Sequence, residues 1–147
     1  MLRLEVTMDD ELTPRLERLV RQRLAAARNA VVQQAAERVL ADTIFANPVD
    51  TARSRAAWVA ALEQLGGTPP AQWRGESPTA EAEGRALGTG TRQEDRDTTE
   101  IRATNDVEYV PFLEYGTRQM APVGMVRRSL SGVRSLLTQL LRRALRS

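Results

Sequence analysis

The feature that most constrains this fold is a stripe of aliphatic residues at helical spacing, unbroken from Leu12 to Ile44. Leu12, Leu16, Leu19 with Val20, Leu24, Val31, Ala35, Val39 with Leu40, and Ile44 recur mostly every three or four positions. That spacing puts them on one face of an amphipathic helix of about thirty residues. Thr13 and Pro14 suit its start as cap and first helical residue, and the acids just upstream favour the positive end of the helix dipole. The helix should stop near Ala46, because Pro48 drives Asn47 out of the helical region. Small residues along it, Ala25–Ala27, Ala30, Ala35 and Ala36, let another element or a second subunit approach closely.

The rest of the chain divides into shorter signals. Leu2, Leu4 and Val6 alternate over residues 2–7, the pattern of a half-buried strand. A second helix should begin after Pro48-Val49-Asp50-Thr51, with Asp50 or Thr51 as N-cap. It should run through Trp58 and Leu62 to Leu65 and end at Gly66-Gly67. Residues 66–84 hold four Gly and three Pro, so a long loop is expected there, with Trp73 in its middle either as a buried anchor or as a partner contact. Residues 85–92 and 98–104 suit an antiparallel hairpin with a charged tip at 93–97. The second strand is favoured by β-branched Thr98, Thr99, Ile101 and Thr104, the first weakened by Gly88 and Gly90. Residues 107–115 predict a short helical or extended turn leading to Gly116. Finally, Val126, Leu130, Val133, Leu137, Leu140, Leu141 and Ala144 share one arc of a C-terminal helix. Arg127, Arg128, Arg134, Arg142, Arg143 and Arg146 lie largely on the other. The fold class expected is α+β: one domain over residues 1–147, with the long helix, the second helix and the C-terminal helix packed on a small antiparallel sheet.

Composition limits the chemistry. The 147 residues include no Cys and no His, which removes disulfides, thiol chemistry and the commonest general base and metal ligand. No Walker loop, dinucleotide fingerprint or nucleophile elbow is present. Glu94, Asp95, Asp97 and Glu100 crowd together, but on a hairpin tip, where a solvated acidic turn is the ordinary outcome. No catalytic, cofactor-binding or metal-binding residue is therefore assigned, no cofactor is expected, and an enzyme is not. No apolar stretch is long enough for a membrane span, and the acidic N-terminal residues do not suit an export signal.

Charge is unevenly spread. All 21 basic residues are Arg. Residues 115–147 carry seven of them and no acid, while residues 1–114 carry 14 Arg against 19 acids. An acidic middle and a basic tail can mean nucleic-acid contact, or one subunit's tail meeting its neighbour's middle.

Two segments carry a recognisable pattern. Pro48-Val49-Asp50-Thr51-Ala52-Arg53-Ser54-Arg55, followed by Trp58, resembles the P-V-D-T-G-x-L-R-x-S-W signature of the neck and tail-completion proteins of long-tailed phages. In those proteins the signature likewise follows a long amphipathic helix. Tyr109-Val-Pro-Phe-Leu-Glu114-Tyr115-Gly116-Thr117 is similar to that family's Y-A-x-x-V-E-F-G-T. The run from Met125 to Leu130 is similar to its P-F-L-R-P-A-L. The sequence departs at Ala52 (usually Gly), at Ser54 (usually Leu), and at Gly124 and Arg128, where Pro is common.

The resemblance implies a structural virion protein, made in the host cytoplasm. It would form a ring in the neck between the head-completion ring and the tail terminator or tube, and let double-stranded DNA pass without sequence-specific binding. Six copies, or else twelve, are what the family's setting suggests. Pro48, Asp50, Thr51, Arg53, Arg55, Trp58, Trp73, Tyr109, Glu114, Tyr115, Gly116, Thr117 and Arg127 are the family-motif or interface candidates. The plainer reading makes the motif residues fold determinants within one subunit; the sharper one places Tyr109, Glu114, Tyr115 and Thr117 at a subunit or partner interface. Glu94, Asp95 and Asp97 are candidates to face the lumen, since an acidic wall would repel phosphate. Two readings from other classes remain: an Arg-rich nucleic-acid-binding protein and a small carboxylate hydrolase.

Overall fold

The computed structural model describes residues 12–48, 50 and 52–146. The strand expected at residues 2–7 lies outside them, as does Thr51. Six helices and one two-stranded antiparallel sheet are present among the described residues, so the fold is α+β.

Helix α1 spans Leu12–Ala46, 35 residues, or about 52 Å at the rise of an α-helix. Leu12 already belongs to it, so Thr13 is not its cap. Ala27 near its middle and Leu40, Thr43 and Ile44 towards its end are buried, whereas Leu12, Leu16, Leu19, Val20 and Leu24 are exposed.

Helix α2, Arg53–Gln64, is the centre of the molecule. Ser54 and every residue from Ala56 to Leu62 are buried. A helix buried all round needs neighbours that come close, and α2 gets them from glycine. A Cβ on Gly84 would overlap the carbonyl oxygen of Arg53, one on Gly88 that of Ala57, and one on Gly90 that of Ala61. Arg53, Ala57 and Ala61 lie four residues apart, in a line along one face. The segment from Gly84 to Gly90 therefore crosses α2 backbone against backbone. The expected N-caps of this helix are not used. Ala52 takes the capping position, at φ 61, and has no side-chain oxygen with which to cap.

The expected loop over 66–84 is shorter than its composition suggests. Helix α3 occupies Pro78–Ala86; the Ser77 hydroxyl accepts from the Ala80 amide, and Pro78 stands in the first turn. Gly84, which argued for a loop, is a helical residue made necessary by the contact with α2.

Strands β1 (Gly88–Glu94) and β2 (Thr99–Asn105) form the hairpin, in register from Gly88 opposite Asn105 to Glu94 opposite Thr99. It rests chiefly on α2, with α1 along β2. The Asp95 carboxylate closes the tip by accepting from the amides of Asp97 and Thr98 and from the Thr98 hydroxyl. Helix α4, Val110–Tyr115, is the short helical turn expected before Gly116.

The expected single C-terminal helix is two: α5, Met125–Arg134, and α6, Leu137–Arg146. The break follows Ser131 and Gly132, a pair that kinks helices readily, and the Ser135 hydroxyl bonds back to the Gly132 carbonyl. Both helices pack against α1 rather than against the sheet. No residue of α6 is buried.

Candidate functional site

The first motif forms the corner between α1 and α2. Asn47 and Ser54, both buried, exchange hydrogen bonds at 2.9 and 3.2 Å. The Arg55 guanidinium donates to the Asn47 carbonyl at 2.6 Å, satisfying the frayed end of α1, and burial pulls its pKa below the usual arginine value. Asn105 donates to the Ser54 carbonyl at 2.8 Å, tying the hairpin to the same corner. Arg53 pairs with Glu108 at 2.9 Å and with Glu83 at 3.5 Å. Hydrogen bonding to its own amide, and then the Arg53 charge, hold the Glu108 carboxyl below its usual range. Trp58 is buried in the core cluster. Pro48 and Asp50 are exposed, and with Tyr109 and Leu113 they line a shallow depression.

The second motif ties α4 to the start of α5. Glu114 is buried, and its carboxylate accepts from the Val126 amide at 3.0 Å and from the Arg127 amide at 3.1 Å, capping α5 from a distance in sequence. The Arg127 side chain donates to that carboxylate at 3.1 Å and to the Glu114 carbonyl at 2.8 Å. It also lies over the Tyr115 ring, 5.4 Å from its centroid. Gly116 has φ +78, and a Cβ there would meet the Met120 carbonyl and Pro122, so the loop closes only on glycine. The Thr117 hydroxyl accepts from the Gln119 and Met120 amides and completes that loop.

The candidates thus separate. Arg53, Arg55, Trp58, Glu114, Gly116 and Arg127 hold the subunit together. So does Trp73, which is buried with the guanidinium of Arg74 at 5.0 Å and that of Arg85 at 5.9 Å over its ring. Tyr115 faces outward, 70% exposed, next to Phe112 on α4; Phe45, at the end of α1, is 81% exposed. Phe45 and Phe112 were not singled out from sequence; each completes a helical stripe, and nothing in its spacing tells a buried aromatic from an exposed one.

The three acidic candidates are exposed, and the carboxylates of two of them, Glu94 and Asp95, are engaged within the subunit. Glu94 accepts from Asn29 at 3.0 Å and pairs with Arg92, Asp95 closes the turn, and Arg28 of α1 donates to the Asp95 and Arg96 carbonyls. Glu81, Glu83, Glu100, Glu108 and Glu114 also pair with Arg. Among the described residues, no group of three His, Cys, Asp or Glu stands together as a metal site. None of their helices is long and apolar enough to cross a membrane. Among the described residues, Arg15, Arg18, Arg21 and Arg23 on α1 and Arg128, Arg134, Arg142, Arg143 and Arg146 on α5 and α6 make no ion pair, and neither do the acids Glu17, Asp50, Glu76, Asp97 and Asp106.

An apolar groove of about 640 Å³ lies between α1, β2 and α5. Val39, Ala103, Val126, Leu130 and Leu137 line it, and its floor holds Thr43 Oγ1 and Trp58 Nε1, both buried without a hydrogen-bond partner. Such a groove offers apolar contact and no reacting group. Comparison with protein-family models, curated proteins and solved structures finds no match to this chain.

Proposed function

We propose that this chain is a non-enzymatic ring subunit of a tailed-phage neck, joining the head-completion ring to the tail terminator or tube and letting double-stranded DNA through. The observation that carries the reading is Ala52. The phage signature has Gly at this position, and here the backbone takes φ 61, the left-handed conformation that Gly adopts at least cost. The corner asks for the family's residue even where the sequence departs from it. The second motif supports the reading in the same way, since Gly116 and the Glu114 cap are both demanded by backbone geometry. Within this reading, Glu94, Asp95 and Asp97 remain the candidates for the lumen wall.

The test is placement in a particle. Labelled antibody against the chain should decorate the head–tail joint of virions, and loss of its gene should leave filled heads and finished tails unjoined. Label on the capsid face or tail tip, or normal particles without the gene, overturns the reading.

The unpaired Arg of α5 and α6 favour a second reading, an Arg-rich nucleic-acid-binding protein. Duplex affinity of the isolated chain that falls steeply with salt would select it.

A further inference from the structure

The front half of α1 and helix α6 lie side by side. Val20, Leu24 and Ala27 of one share a cleft with Ala144 and Leu145 of the other, so the two helices form one arm. The arm is strongly basic. Residues 12–30 and 137–146 hold eight Arg against one acid, Glu17, which leaves 13 Arg against 18 acids in the rest of the chain. None of the eight makes an ion pair. Arg28 aims its donors at neutral partners, the Thr99 hydroxyl and the Asp95 and Arg96 carbonyls. Beside the arm, the hairpin tip sets Arg96 against Asp97. Residues 1–11 do not alter the sign: they hold one Arg and four acids, and counting all of them with the arm leaves nine Arg against five acids.

The cations sit on the outer sides of the arm. At the turn of an α-helix, Arg142, Arg143 and Arg146 fall opposite Leu137, Leu141 and Ala144, and Arg18, Arg21 and Arg28 fall opposite Leu16, Leu19 and Ala27. Unpaired guanidinium groups on two sides of a rod suit a ligand of dense, uniform negative charge. Duplex DNA carries one charge per about 1.7 Å, and each cation that reaches a phosphate releases a condensed counterion. The residues of the arm include no aromatic side chain, so nothing on it stacks on unpaired bases, the usual anchor of single strands. Its amides are Gln22, Asn29 and Gln139, and Asn29 is held by Glu94 and Thr99, which leaves little to read base edges.

We infer that this arm binds the phosphate backbone of duplex DNA without regard to sequence. The inference rests on the nucleic-acid reading and deepens it: the duplex is the ligand, and α1 supplies as much of the surface as the C-terminal helix.

The probe is a mixed-sequence duplex titrated with the full chain by fluorescence anisotropy over a range of salt. Log affinity should fall linearly with log salt. Arg142→Gln/Arg143→Gln/Arg146→Gln should flatten that slope by about 2–3 and weaken binding roughly 100-fold near about 0.1 M salt. Arg15→Gln/Arg18→Gln/Arg21→Gln should act alike, both with unchanged circular dichroism. Arg38→Gln, on the rear half of α1 and paired with Asp42, should leave the slope as it is. A slope kept by both triple variants and lost in Arg128→Gln/Arg134→Gln moves the site to α5; it overturns the arm and leaves the nucleic-acid reading standing. Tighter binding of the single strand, or equal binding of poly-glutamate, overturns the duplex as ligand. No duplex affinity even at low salt overturns both.

Discussion

Helices α2 and α6 make an instructive pair. The first is barely amphipathic, because it is wrapped on every side by the hairpin, α3 and α1. The second is the most strongly amphipathic helix described, yet it buries no residue, and Leu137, Leu141 and Leu145 stay between 40% and 49% exposed. A hydrophobic stripe says that a face should be covered. It does not say by which chain. Around α2 the cover is intramolecular and as close as backbones allow; α6 packs on α1, yet among the described residues much of its apolar face and that of the front of α1 stays exposed.

Substitutions can press on that contrast from both sides. The largest effect belongs at the centre. Trp58→Ala removes a buried aromatic from the core cluster and should destabilise the fold by about 3–5 kcal/mol in urea unfolding. Next is Gly88→Ala, whose new methyl meets the Ala57 carbonyl; about 2–3 kcal/mol is expected, with a lowered Tm. A neutral result there would mean that the hairpin stands farther from α2 than described. Glu114→Ala should cost about 1–2 kcal/mol, because two amides at the start of α5 lose their acceptor; amide exchange should quicken at Val126 and Arg127 first. At the other extreme, Leu141→Ser should change unfolding of the dissociated subunit by less than about 0.5 kcal/mol while weakening self-association in sedimentation. A large loss of subunit stability would show that α6 is covered within one chain.

The smallest effect is a local one with pH. Hydrogen bonding, first from the Thr98 side chain and then from the Asp97 and Thr98 amides, holds the Asp95 carboxyl below its usual range. A carboxyl depressed in the folded state contributes stability above its unfolded pKa and loses it as pH falls through the folded value. The hairpin tip should therefore loosen below about pH 4. Thr98→Ala should raise the Asp95 titration midpoint, read by carboxyl NMR shifts.

Much of this fold is legible in sequence, and what escapes has identifiable causes. The long helix, the stop after Ala46, the second helix and the hairpin follow from spacing and turn residues. Helix α3 is hidden by its own glycine: Ser77, Pro78 and Glu81 spell a helix start, but Gly84 reads as loop unless one knows that a backbone will press against it. The C-terminal helix reads as continuous because its apolar arc survives the break at 135–136. Charge misleads in a related way. Summed along the chain, residues 1–114 are acidic; in the fold, Arg53 and Arg74 from within that stretch and Arg127 from beyond it pair with four of its acids, Glu83, Glu108, Glu81 and Glu114. Of the candidate site, the motif residues are legible as a set, but their division into inner struts and an outward Tyr115 is not, because burial depends on what lies across the fold.

The continuity of α1 has a mechanical consequence. Its rear half walls the apolar groove, while its front half carries exposed leucines. A rigid rod cannot tilt at one end without tilting at the other. A push on the front half, at Leu16, would therefore be felt as a shift of the groove wall at Val39, about 35 Å away.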